Sequence, residues 1–301
     1  MREWCEFAAV WTILKLLGIL PLRTARGVAV MVARALLFCR PRLRRIAMEN
    51  LRLAFPEWTD AKRRETIRGM ARNLGWMAAE FARFPSLTRE NIGELVAMAG
   101  CENFDVARRA GKGVIFLTGH MSAWELAPFA HALYGYPLSF LARAIDNERV
   151  NGLIDSYRCL SGNRPIEKNN AARAALRVLR EGGTVGVLAD QNTSVDEGVF
   201  VNFFGVAAAT TTGLVRMARH TGAAVVPGFL SWDAAAGRYR LEFKPAVEMQ
   251  HSDDEAADMR ENAGRCNRVI EEHIRAHPDE WLWVHKRWKN RPTGELPRYS
   301  H

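Results

Sequence analysis

In the stretch "GVIFLTGHMSAWELAPF" (residues 113–129) a histidine follows an apolar run, and a glutamate lies five residues beyond it. These residue types can run acid–base chemistry. A neutral imidazole accepts a proton near pH 7, and a carboxylate can hold it in one tautomer. On one regular helix His120 and Glu125 would sit roughly 140° apart and point away from each other. They can meet if His120 occupies a turn before a helix and Glu125 the first turn, reaching back. That geometry would make a base and its orienting acid. It suits removal of a proton from an alcohol as its oxygen attacks a carbonyl, with backbone amides or a nearby side chain stabilising the oxyanion. Plainer readings stand beside it: Ser122 and Glu125 fit an S-x-x-E capping box, and His120 fits a hydrogen-bonded structural histidine. Ser122 as a nucleophile lacks the G-x-S-x-G elbow.

Elements on either side must position such a pair. Val114 to Leu117 reads as a buried strand, after a helix near 102–110 that stops at Gly111. Asp60 opens a helix whose Ile67, Met70, Ala71, Leu74, Ala78 and Phe81 recur at helical spacing, ending at Pro85. Beyond the central motif come a strand "PLSFLAR", a helix at about 148–160, a helix "NAARAALRVLREGG" and a strand "TVGVLAD". After these come "GVFVNFFG", a helix "TTGLVRMARHTG", strands "AAVVPGFLSW" and "YRLEFKPAV", and a helix at about 254–276. The alternation predicts an α/β fold, a mostly parallel sheet covered by helices on both faces. Strand carboxyl ends line the site in such sheets. His120, Arg143, Asp190 and Gln191 then converge on one rim. Arg143 suits a phosphate, or a salt bridge to Asp146 or Glu148. Asp190 and Gln191 also fit a simple turn. Phe203 and Phe204, among small and hydroxylated residues, suit an acyl-chain wall, though a core segment would look similar.

At 301 residues and 48% apolar, the chain can bury one sizeable core. Its formal charge of +9 is all N-terminal: residues 1–75 hold fifteen Lys/Arg against six Asp/Glu. The apolar runs "FAAVWTILKLLGILPL" and "GVAVMVARALLFC" carry that charge, which favours an anionic membrane surface over nucleic acid. Lys15, Pro21 and Arg34 interrupt them short of an uninterrupted span. The expectation is an N-terminal membrane-associated helical anchor over residues 1–45, followed by one α/β domain over 46–301. A hairpin of buried core helices is the plainer alternative. No signal-peptide cleavage site follows the apolar run. Five scattered cysteines, with no CxxC and no histidine at ligand spacing, read as reduced thiols in the cytosol. Neither metal nor cofactor is expected.

Four blocks, "MENLRLAFPE", "GHMSAWE", "DQNTSVDEGVFVNFFGVAAATTTGLVRMAR" and "WLWVHKRWKNRP", occur in one order and together resemble the lipid A biosynthesis lauroyl/myristoyl acyltransferases. These belong to the wider H-x4-D/E glycerolipid acyltransferase superfamily. The resemblance runs from about residue 40 to 299. It implies an inner-membrane enzyme, its site facing the cytoplasm, that moves a fatty acyl group from acyl carrier protein (or CoA) thioester to a hydroxyl of an anionic lipid A precursor. His120 and Glu125 fall on the family's catalytic dyad, Arg143 on its strand-end arginine, and Asp190 and Gln191 on its acidic block. Trp283, His285, Arg287 and Lys289 fall on the tail block. With Arg158, the basic tail is expected to hold headgroup or carrier phosphates. The chain departs from the family at Arg143-Ala144, where Arg-Pro is common. A mannoside or other glycolipid acyltransferase would satisfy most of the blocks. A hydrolase using the same dyad and a non-catalytic membrane-binding homologue are the rivals from other classes.

Overall fold

Alternation within one strand divides the hydrophobic core in two. Ile115 and Leu117 face one set of helices, and Val114 and Phe116 face the other. The protein is seen here as a computed structural model, described for residues 1–141, 145–166 and 170–299. Its main sheet contains β1 (Val96–Ala99), β2 (Val114–Thr118), β3 (Ser139–Phe140), β4 (Arg164–Pro165) and β5 (Thr184–Leu188). A hairpin of β6 (Gly198–Phe203) and β7 (Val206–Thr211) stands apart from it, and β8 (Ala224–Asp233) and β9 (Arg238–Phe243) rejoin it. The strand order is β1-β9-β8-β2-β5-β3-β4. Every pair is parallel except β8 with β9. The α/β, mostly parallel reading therefore holds. The "GVFVNFFG" segment departs from it by pairing antiparallel with the next strand, outside the main sheet.

Helices α1 (Arg2–Ile19), α2 (Leu22–Cys39), α3 (Pro41–Ala54) and α4 (Asp60–Ala82) precede the sheet. Thr59 caps α4 by accepting a hydrogen bond from the Lys62 N–H at 3.2 Å, which explains its sharp start. Next come α5 (Ile92–Leu95), α6 (Cys101–Arg109), α7 (Leu126–Leu133), α8 (Glu148–Cys159), α9 (Ala171–Arg180), α10 (Gly213–Thr221) and α11 (Glu255–Ala276). Side chains of α9, α10 and α11 pack on one face of the sheet, with α3 and part of α4. Those of α6, α7, α1 and α2 pack on the other, with the end of α4.

The N-terminal helices are built into this second layer rather than appended to it. Gly75 of α4 lets α2 approach so closely that a Cβ there would lie 2.6 Å from the Val30 backbone nitrogen. Arg26 of α2 donates to buried Glu80 of α4 at 2.7 Å, and its guanidinium lies against the rings of both Trp76 and Trp232. Leu14, Leu17, Ala25 and Ala29 are buried. One face stays bare. Among the described residues, ten of the fifteen large apolar side chains that are exposed lie between Met1 and Phe38, including Trp11, Ile13, Leu16, Ile19, Met31, Leu36 and Phe38. Arg40, Arg42, Arg44 and Arg45 are exposed beside them. Among the described residues, no helix is long and apolar enough to cross a membrane.

Candidate active site

Strands β2 and β5 run parallel with Thr118 opposite Leu188, so the residues after each leave the sheet at the same edge. The Ala189 N–H donates to the Thr118 carbonyl at 3.1 Å, extending the pairing toward Asp190. Gly119 leaves room for that carboxylate. A Cβ at this position would lie 3.1 Å from the Asp190 carboxyl carbon, so a side chain here would crowd Asp190 away from its neighbour. That neighbour is His120.

Asp190 Oδ1 lies 2.8 Å from His120 Nδ1, and Oδ2 accepts the His120 backbone N–H at 2.9 Å and the Trp281 indole N–H at 2.8 Å. Burial works against charge on Asp190. The His120 charge and these hydrogen bonds more than offset it and hold the carboxyl at about 2. Burial likewise disfavours protonated His120, but the charge and hydrogen bond of Asp190, with the charge of Glu125, raise its pKa above the ordinary value. Because Asp190 is ionised at neutral pH, it fixes the proton of the neutral ring on Nδ1 and leaves Nε2 as the free base.

Glu125 therefore does not orient the imidazole by contact, as the spacing had suggested. It stands as the N-cap residue, one position before α7 rather than in its first turn, and its carboxylate turns to Arg158 of α8. The two form a fork at 2.8 and 2.6 Å, and the free Nη1 of Arg158 reaches Asp155 at 3.1 Å. A guanidinium offers two parallel donors where an imidazole offers one, so Arg158 wins the carboxylate. The same fork occupies the donors that Arg158 was expected to offer to substrate phosphates. The capping box does not form either: Ser122 is buried at a left-handed φ of 52° with its hydroxyl unbonded, and α7 has no side-chain cap.

His120, Glu125, Arg158 and Gln191 line one cavity of about 380 Å³, walled by Trp124, Pro128, Phe129, Phe140, Leu141, Asn163, Val187 and Leu188. The Gln191 amide nitrogen lies 3.3 Å from both ring nitrogens of His120. The other expected residues fall elsewhere. Phe203 and Phe204 are buried in the core against Trp281, Trp283 and Trp288, outside the cavity, because their hairpin folds under the C-terminal segment. Arg287 is fully buried, donates to the Ala209 carbonyl and to Thr210 Oγ1, and is pushed down to about 10 by burial. It organises the hairpin and has no path to a headgroup. His285 accepts the Asn192 N–H at 2.9 Å, and burial pushes it down to about 4, so it is a neutral structural acceptor behind the site. Arg143 lies outside the described residues.

The C-terminal segment contributes more than its charges suggested. The Ser122 N–H donates to the Glu280 carbonyl at 2.8 Å and the Leu282 N–H to the His120 carbonyl at 3.1 Å, with Met121 bridged to Trp281 between them. Neither spacing nor residue type singled out Trp281 or Glu280. The one signal available was the density of tryptophan in "WLWVHKRW".

A family model described as bacterial lipid A biosynthesis acyltransferase matches residues 1–290. The chain is 29% identical over 264 residues to a lipid A biosynthesis palmitoleoyltransferase of Escherichia coli, covering 86% of this chain and 84% of that one. It is 26% identical over 298 residues to the lauroyltransferase of the same organism, covering 98% and 94%. Among solved structures it is similar to a 1-acyl-sn-glycerophosphate acyltransferase from Thermotoga maritima, with 16% identity, coverage of 77% and 97%, and a TM-score of 0.37.

Proposed function

Because this chain belongs to the bacterial lipid A biosynthesis acyltransferase family, we propose that it moves a fatty acyl group from a carrier-protein or CoA thioester to a hydroxyl of a lipid A precursor, with His120 as general base. The observation that carries this reading is the 2.8 Å contact between His120 Nδ1 and buried Asp190 at the rim of an apolar-walled cavity. Nε2 takes the proton of the acceptor hydroxyl as its oxygen bonds to the thioester carbonyl carbon. Asp190 stabilises the imidazolium that results. Collapse of the tetrahedral intermediate breaks the carbon–sulfur bond, and the imidazolium returns its proton to the leaving thiolate. The walls from Trp124 to Leu188 suit the acyl chain, since a cavity lined this way offers mostly apolar contact. Glu125 acts at one remove. It adds negative potential beside His120 and holds Arg158 in the pocket with its positive charge balanced.

The bare apolar face of α1 and α2, flanked by Arg40, Arg42, Arg44 and Arg45, supports attachment to the surface of the cytoplasmic membrane, with the site opening toward acceptor lipid. Leu16→Glu with Phe38→Glu, both exposed, should shift folded protein from the membrane to the soluble fraction. Retention on anionic vesicles would remove this placement.

Incubating the purified protein with labelled acyl carrier protein thioester, with and without a lipid A precursor, tests the reaction. Labelled lipid that disappears with His120→Ala is the expected result. Free fatty acid as the sole product would make the protein a hydrolase, and no product in either incubation would leave a binding module.

A further inference from the structure

The carboxylate that faces His120 is itself held from behind. Asp190 Oδ1 serves His120, while Oδ2 accepts two N–H groups, one from the His120 backbone and one from the indole of Trp281. The indole is the one side-chain donor to Oδ2 among the described residues. Trp281 is almost wholly buried, its ring set edge-on to Trp283 at 4.6 Å and to Phe203 at 5.7 Å, so the N–H has a fixed direction. The segment that carries it is clamped to the catalytic turn on both sides, by Ser122 N–H to the Glu280 carbonyl and Leu282 N–H to the His120 carbonyl. Indole position and imidazole position are thus set by one short antiparallel contact.

We infer that Trp281 is a positioning residue for the acyl transfer, acting through Asp190. This rests on the general-base reading of His120. An ionised carboxylate in a buried site needs its lone pairs satisfied, and it rotates or gains a proton when they are not. The indole N–H does both jobs. It pins Oδ2 so that Oδ1 stays in line with Nδ1, and it withdraws negative charge from the carboxylate so that His120 still releases its proton near neutral pH. Losing the N–H alone leaves Asp190 more negative toward the imidazole. His120 then holds its proton more tightly, and a larger share of the enzyme is in the inactive imidazolium form at pH 7.

Trp281→Phe, and replacement of Trp281 by benzothienylalanine, which keeps the bicyclic shape but lacks the N–H, test this in the full chain with labelled acyl carrier protein thioester and a lipid A precursor. The acidic limb of the kcat/KM profile should move up by about half to one pH unit. At pH 7 kcat should fall about tenfold or more, with KM for both substrates nearly unchanged. Trp283→Phe is the control for lost packing. Its indole donates to the Pro278 carbonyl and does not touch Asp190, so the limb should stay in place. An unmoved limb in the benzothienylalanine protein, a downward shift, or an equal upward shift in Trp283→Phe would overturn the assignment. A His120→Ala protein that still transfers acyl groups would instead overturn the general-base reading beneath it, and the two failures are told apart by that single assay.

Discussion

Asp190, after β5, and Glu280, in the C-terminal segment, are both buried carboxylates near the turn that carries His120, yet they behave as opposites. Burial disfavours the charge of each. Asp190 is nonetheless held at about 2, because the positive charge available on His120 and three hydrogen bonds face it. Burial pushes Glu280 up to about 7, since a single well-formed bond, from the Trp232 N–H at 3.0 Å, reaches its Oε1, and Oε2, near the Ser122 hydroxyl, has none. Depth in the protein does not decide whether a carboxylate is an anion; the donors aimed at it do. Glu125 is the third case. It is partly exposed, and a guanidinium fork rather than a histidine satisfies it. Only the first arrangement makes an orienting acid.

The contrast is broken most forcefully at Asp190. Asp190→Asn should fold and lose on the order of ten-thousand-fold in kcat, as loss of the orienting acid does in an analogous triad. Wild-type activity should rise with pH through a His120 pKa above the ordinary value, and in Asp190→Asn that limb should move down because the neighbouring negative charge is gone. The stability signature has the opposite sense. A carboxyl lowered from 3.8 to about 2 contributes stability that is present above pH 3.8 and lost as pH falls through about 2. Urea titrations at pH 5 and pH 2 should show this loss in the wild type and its absence in the Asn variant.

A smaller effect is expected at Glu125, and by another route. Glu125→Gln breaks the Arg158 fork and leaves Asp155 as that guanidinium's one charged partner among the described residues, in a partly buried site beside His120, so activity should fall about a hundred- to a thousandfold. Adding Arg158→Gln should recover part of it, since the guanidinium that lost its fork is then gone. Turnover measurements on the single and double variants decide this. A double variant as poor as Asp190→Asn would mean that Glu125 touches the imidazole during the reaction.

The smallest change sharpens the Asp190 and Glu280 contrast. Glu280's raised pKa means that its contribution to stability is full below pH 4.5 and is lost as pH rises through about 7. Glu280→Gln, which keeps the acceptor for Trp232, should therefore melt a few degrees above the wild type at pH 8 and no higher at pH 4. Equal melting temperatures at pH 8 would show that the ionised Glu280 finds solvent or a donor after all.

Much of the frame is legible in the chain. Alternating periodicities give the parallel sheet, the helix that begins at Asp60, and the rule that puts His120, Asp190 and Gln191 at one edge, because local propensity and side-chain period are properties of a segment by itself. The H-x4-E spacing brings Glu125 to the start of a helix, though to its N-cap rather than its first turn. It does not reveal which partner that carboxylate chooses, since Arg158, 33 residues later, is delivered by the packing of α8. The aromatic pair Phe203 and Phe204 suits a wall as sequence and is core in the fold, because a hairpin turned under the C-terminal segment looks, as sequence, like a strand in the alternation.

What the sequence determined alone was the layer order, the edge of the sheet that carries the polar groups, the concentration of charge and apolar surface at the N-terminus, and a histidine poised after a strand. Tertiary structure decided the rest: that Arg26 is spent on Glu80, that Arg287 is buried, that Glu125 belongs to Arg158, and that Asp190 and Trp281 stand behind His120. Each of these is a competition among several side chains for one partner across long separations in sequence. Such contests are settled by distance, direction and the cost of leaving a buried polar group unpaired, and none of these quantities exists until the chain has folded.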